Sequence, residues 1–119
     1  MRRKPGALVP LEISVLEAAL ALEARSQDEF HGYMLAREMK AIQGAKFRTA
    51  YGTLYRTLER MQGNGLLESH WEDPAIAEAE SRPRRRLYRV TEEGHAAYQR
   101  ALVPAEPRRR GAAAASQPA

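Results

Sequence analysis

The chain has 119 residues, 44% of them hydrophobic and 29% charged, with a formal net charge of +4 and no cysteine. These values suit one small domain with a modest core and exclude a disulfide framework, and no apolar run approaches the roughly 20 residues that cross a bilayer. The Arg2-Arg3-Lys4 start leads into Pro5-Gly6 and not into a signal peptide core, and His31, His70 and His95 lie too far apart for a metal site, so a soluble cytoplasmic protein without cofactor is expected.

Residues 1 to 7 read as a flexible basic tail. Ile13, Leu16 and Leu20, with Ala19 and Ala24 beside them, recur at three and four residues and predict a helix from about Pro10 to Ala24 with one apolar stripe. Proline suits its opening turn. Ser26 to Glu29 is loop-like, and His31-Gly32-Tyr33 leads into a second helix with Leu35, Met39 and Ile42 inward, ended by Gly44. A third helix, about Ala50 to Gln62 with Thr49 as its cap, turns Leu54, Leu58 and Met61 inward and places Thr53, Arg56, Thr57 and Arg60 on other faces. Gly63-Asn64-Gly65 breaks it. Leu66 to Trp71 and Leu87 to Val90 are strand candidates, and Ala75 to Glu80 in the long loop between them can form a helical turn. Thr91 caps a last helix that has Glu92 and Glu93 in its first turn and runs to about Val103. Pro104 and Pro107 end it, and residues 104 to 119 form a disordered Pro/Arg/Ala-rich tail.

Three helices, a two-stranded wing and a short C-terminal helix make an α+β, mostly helical chain of winged helix-turn-helix type over residues 8 to 103. Total charge says little, because between Leu11 and Val103 there are 13 Lys and Arg against 14 acids. Location says more: residues 46 to 60 carry a net +3, residues 82 to 89 hold five arginines and no acid, and residues 68 to 80 hold five acids and no Lys or Arg. The major groove accepts one helix, whose first turns meet the base edges. The candidate DNA contacts are therefore Lys46, Arg48, Thr49, Tyr51, Gly52, Thr53, Tyr55, Arg56 and Thr57, with Arg82, Arg84, Arg85 and Arg86 in the wing beside the minor groove. Each has a plainer reading: Tyr51 and Tyr55 packing between helices, Arg60 merely solvated, the wing arginines a surface run. Tyr33 and Trp71 are core or interface residues, or else line a ligand pocket.

His31-Gly32-Tyr33, Gly52-Thr53-Leu54-Tyr55 with Leu58-Glu59, Gly65-Leu66-Leu67-Glu68 and Arg84 to Gly94, in this order and spacing, resemble the PadR family of transcriptional regulators over Leu8 to Leu102. The resemblance implies a bacterial repressor acting as a homodimer on a palindromic promoter site and released by a small hydrophobic or aromatic effector. It also implies dimerisation through the C-terminal helix against the first helix of the partner, which makes Ile13, Leu16, Leu20, Tyr98 and Leu102 the dimer and effector candidates. That last helix has only about three turns here. The alternative is a winged-helix protein-protein interaction module, which the same fold supports. Catalysis is not expected, since no nucleophile-base pair, metal spacing or phosphate loop is present.

Overall fold

Helix α1 (Pro10–Ala24) starts on proline, and the Glu12 carboxylate accepts from the Val9 amide at 2.9 Å, which ties down the first turn. These are coordinates of a computed structural model that describes residues 7–103; the expectations for the two tails lie outside them, apart from Ala7. One apolar stripe was expected on α1, but apolar side chains occupy most of its circumference. Val15, Leu16, Ala18, Ala19 and Leu22 face the core. Leu16 is wholly inside, so it serves this chain's own core and is withdrawn from the dimer surface.

Helix α2 (Gly32–Gln43) buries Leu35, Ala36 and Met39. Ile42, expected inside, is exposed: it lies on the last turn, where the chain is already leaving the core through Gly44 (φ +61°) and the 3-10 turn Gly44–Lys46. Helix α3 (Tyr51–Gly63) has Ala50 at its cap position with no side-chain cap, so Thr49 does not play that part. Its Leu54, Leu58 and Met61 meet the buried faces of α1 and α2. Gly65, at φ +81°, turns the chain into strand β1 (Leu67–Trp71).

Strand β1 pairs antiparallel with β2 (Arg86–Val90), Leu67 opposite Val90 and Trp71 opposite Arg86. The other edge of β2 is covered by Phe30, which exchanges two backbone hydrogen bonds with Tyr88 at 2.9 and 2.8 Å while the two rings stack. The loop before α2 thereby caps the sheet edge and anchors the wing to the helices. Helix α4 (Pro74–Ala79), the helical turn expected inside the wing loop, is capped by the Asp73 carboxylate on the Ala75 amide.

Thr91 caps helix α5 (Glu92–Leu102) as expected, accepting from the Gly94 amide at 2.9 Å. The same hydroxyl donates to the Gly65 carbonyl at 2.6 Å, so one side chain ties the end of α3 to the start of α5. A second tie joins distant segments: Arg60 Nε donates to Oε2 of Glu12, a buried residue of α1, at 3.2 Å. Arg60 is thus a structural partner and not a merely solvated residue. Its aliphatic stem and charge help fix α3 against α1.

Candidate nucleic-acid interface

The first two turns of α3 present their polar residues outward. Tyr51, Gly52, Thr53 and Arg56 are exposed, preceded by exposed Lys46 and Arg48 and half-buried Thr49. Arg56 Nη2 donates to Thr53 Oγ1 at 3.3 Å, which lays the guanidinium along the helix face above Gly52. A Cβ on Gly52 would meet only Arg56, so no contact inside the chain requires glycine there. Thr57 differs from the expectation. It is 2% exposed and its hydroxyl donates to the Thr53 carbonyl at 2.9 Å, because residue 57 follows Thr53 by one turn plus 40° and falls beside Leu58 on the core face. Thr57 is therefore removed from the candidate contacts.

The wing arginines divide into two kinds. Arg82 is a latch: Nη1 and Nη2 each reach the Glu72 carboxylate at 2.8 Å, and Nε reaches Glu80 at 2.8 Å. Glu72 also accepts from the Arg85 amide at 3.1 Å. The paired Arg82 guanidinium, with that amide adding to it, holds the Glu72 carboxyl down at about 2, while Glu72 and then Glu80 raise Arg82. A carboxyl depressed in the folded state contributes stability above its ordinary range, and this is lost as pH falls toward 2. Arg82, neutralised from two sides, is corrected from DNA contact to closure of the loop around α4.

Arg84, Arg85 and Arg86 have no carboxylate within ion-pair distance among the described residues. Arg84 and Arg86 lie over the ring of exposed Trp71, with guanidinium carbons 5.6 and 5.1 Å from its centroid. Arg84 Nε donates to the Glu72 carbonyl and Arg86 Nε to Ser69 Oγ, leaving their Nη groups without a hydrogen-bond partner among the described residues. On the other side, His31, Tyr33, Tyr51 and Tyr55 form a row of stacked rings with successive centroids 6.4 to 6.5 Å apart. Tyr55 lies over Gly32: a Cβ at Gly32 would stand 2.3 Å from its hydroxyl and 2.4 Å from Cζ. Between the ring row and the wing runs a groove of about 550 Å³. Helix α3 and the three uncompensated arginines therefore flank one concave surface.

His31 holds α2 in place beside this groove, its Nδ1 accepting from the Met34 amide at 3.2 Å. Burial, and then the positive charge of Arg85 and Arg82, lowers its pKa, with Glu72 opposing weakly. Protonation removes the acceptor. Because the folded value lies below the ordinary one of about 6.5, the contribution of His31 to stability is complete above that pH and lost as pH falls through the folded value. His31→Asn keeps a capping acceptor that does not titrate, and melting curves at pH 7.5 and 5 should show a smaller acid loss than wild type. His70, raised by the hydrogen bond it donates to Glu29, has the opposite sign and is unchanged in both proteins.

Of the dimer and effector candidates other than Leu16, Ile13 and Leu20 are half-buried on the side of α1 away from the core, Tyr98 is half-buried on α5, and Leu102 is 55% exposed. Glu12 and Glu72, two carboxylates that organise α3 and the wing, were not singled out from sequence. Neither has a periodic signal, since their arginine partners lie 48 and 10 residues away. Among the described residues no group of three His, Cys, Asp or Glu converges as metal ligands, and no helix is long and apolar enough to cross a membrane.

Residues 21–100 match the family model described as "Transcriptional regulator PadR-like family". No curated protein matches the sequence significantly. Among solved structures, the chain is similar to a transcriptional regulator from Clostridium thermocellum, with a TM-score of 0.59 and 20% identity over 76% of each chain. A PadR-like transcriptional regulator from Bacillus cereus gives a TM-score of 0.54 at 27% identity, covering 76% of this chain and 75% of that one. Bacillus subtilis PadR, solved in complex with operator DNA, gives a TM-score of 0.63 at 14% identity; it matches 88% of this chain, which spans 53% of that longer protein.

Proposed function

Because the chain belongs to the PadR-like family of transcriptional regulators, a family of DNA-binding proteins, we propose that it is a repressor that binds a palindromic promoter site as a homodimer and releases it when a small hydrophobic or aromatic molecule binds. The observation that carries this reading is the exposed first turns of α3 together with a concave surface that Tyr55 and Glu59 of the same helix share with Arg84, Arg85 and Arg86 of the wing. Helix α3 enters the major groove with Thr53 and Arg56 foremost, and the wing lies along the adjacent minor groove. The structure of a PadR protein on operator DNA supports the assignment by analogy of fold. One helix in one groove gives little specificity, whereas two half-sites a helical turn apart do.

The dimer forms through α1 and α5. Ile13 and Leu20, half-buried on α1, with exposed Leu102 at the end of α5 and Val103 just after it, provide apolar surface beyond the monomer core, and Tyr98, which packs partly on that core, borders it. An effector wedged between these helices would change the spacing of the two α3 helices and so the fit to both half-sites.

Arg56→Ala is expected to relax preference at one base pair of each half-site, at a cost of about 1–3 kcal/mol where the contact is bidentate to guanine. Binding measured on a panel of single-base operator variants checks it; equal weakening on every sequence would make Arg56 a phosphate contact. The proposal as a whole is tested by selecting sites from a random duplex pool and measuring the mass of the complex. An inverted repeat bound by two chains supports it. No enriched sequence, with binding abolished by modest salt, would leave the winged helix as a protein-interaction module.

A further inference from the structure

The groove between the aromatic row and the wing lies away from α1 and α5, and its lining is chemically uneven. Arg84 and Arg86 place two guanidinium groups over Trp71, Arg85 also lines the groove, none of the three has a carboxylate partner among the described residues, Tyr55 supplies an exposed ring, and Glu59 is the one acid on the lining. Its volume of about 550 Å³ falls within the 300–1,000 Å³ typical of small-molecule sites.

We propose that this groove is a second ligand site, which takes a free nucleotide: a planar base laid against the exposed ring of Tyr55, with its phosphate on Arg84 and Arg86, whose guanidinium groups lie over Trp71. Two guanidinium groups side by side, with a third on the same lining, match a phosphate dianion better than a singly charged anion, and their Nη forks suit its oxygens. An aromatic surface of this kind accepts any base by its π-face. Glu59, which has no ion pair among the described residues, discriminates further, since a carboxylate repels a bare anion but accepts from the amino edge of a base. The basicity of His31 is lowered first by burial and then by the charge of Arg85, which lines the groove with it. Since the same arginines flank α3, an occupied groove blocks the wing from DNA. That regulatory consequence rests on the DNA-binding reading, whereas the binding itself does not.

Trp71 is the chain's one tryptophan and reports directly on the groove. The full-length protein without DNA is titrated with AMP and GMP while Trp71 fluorescence is followed, with adenosine, inorganic phosphate and benzoate as comparison probes. Saturable change with the nucleotides, at concentrations at least tenfold below those needed for adenosine or phosphate, is the expected result. Arg84→Ala with Arg86→Ala should abolish it while Trp71 remains; should that protein not fold, Arg84→Lys with Arg86→Lys keeps the charge, loses the fork and should weaken binding. Glu59→Gln should narrow the advantage of nucleotide over phosphate.

A response to phosphate equal to that with nucleotides overturns the proposal, leaving only an anion site, and a response to benzoate equal to that with nucleotides overturns it in favour of aryl anions. A response to duplex DNA with none to nucleotides also overturns it and makes the groove part of the DNA surface. Competition against labelled operator is the last arm. Quenching without displacement would overturn the regulatory half alone, and failure to bind any operator would not alter the nucleotide titration.

Discussion

Replacing Arg84, Arg85 and Arg86 together with alanine is expected to weaken operator binding by about 10- to 100-fold at physiological salt and to flatten its salt dependence. None of the three guanidinium groups has a carboxylate within ion-pair distance among the described residues, so their charge is available to phosphates. Each chain supplies up to three such contacts and a dimer up to six, so the slope of log K against log salt should become shallower by up to about 5. Arg82→Ala is the informative contrast. That side chain is already held by Glu72 and Glu80, so its loss should lower the melting temperature and leave the salt slope nearly unchanged. Titrations at several salt concentrations, with melting curves for both proteins, decide the matter. An unaltered slope in the triple variant would take the wing out of the interface.

Gly94→Ala is expected to be the most damaging single methyl in the protein. A Cβ there would stand 2.3 Å from the Leu66 carbonyl oxygen and 2.7 Å from Val90 Cγ1. Neither neighbour yields cheaply: Leu66 O accepts from the Thr91 amide, and Val90 is in the sheet opposite Leu67. Alanine's better helix propensity, roughly 1 kcal/mol, is outweighed by overpacking at about 1–3 kcal/mol or more against a backbone atom that cannot rotate away. For a domain of this size each kcal/mol lost lowers the melting temperature by about 4–8 °C. Since α5 must lift off the turn after α3, the dimer surface proposed on α5 should be lost as well. Gly63→Ala, at the end of α3, has open space and no positive φ, and should be neutral or slightly stabilising. Thermal melts of the two variants should therefore move in opposite directions or differ by several degrees.

Much of this arrangement was legible in the chain itself. Gly65 marked the exit from α3, Thr91-Glu92-Glu93 marked the start of α5, and Ala75 to Glu80 gave the helical turn in the wing. The groove's aromatic residues were visible as residue types but not as a row, because Tyr33 and Tyr51 approach only when α2 and α3 dock. Phe30, which completes the sheet edge, stood in a polar loop and had no periodic partner to announce it.

Residues within a turn or two of one another determine caps, breaks and helix lengths, so the order of elements and the basic face of α3 follow from local sequence. Which charges remain available is a different matter. Of four closely spaced wing arginines, Arg82 is neutralised by Glu72 while Arg84 and Arg86 settle on Trp71, and Thr57 turns inward where Thr53 does not. Arg60 is bound to Glu12 across 48 residues of sequence. Those outcomes depend on how α1, α3 and the wing pack, because electrostatic pairing and burial act through space, and docking sets the angle at which each side chain leaves its helix or strand.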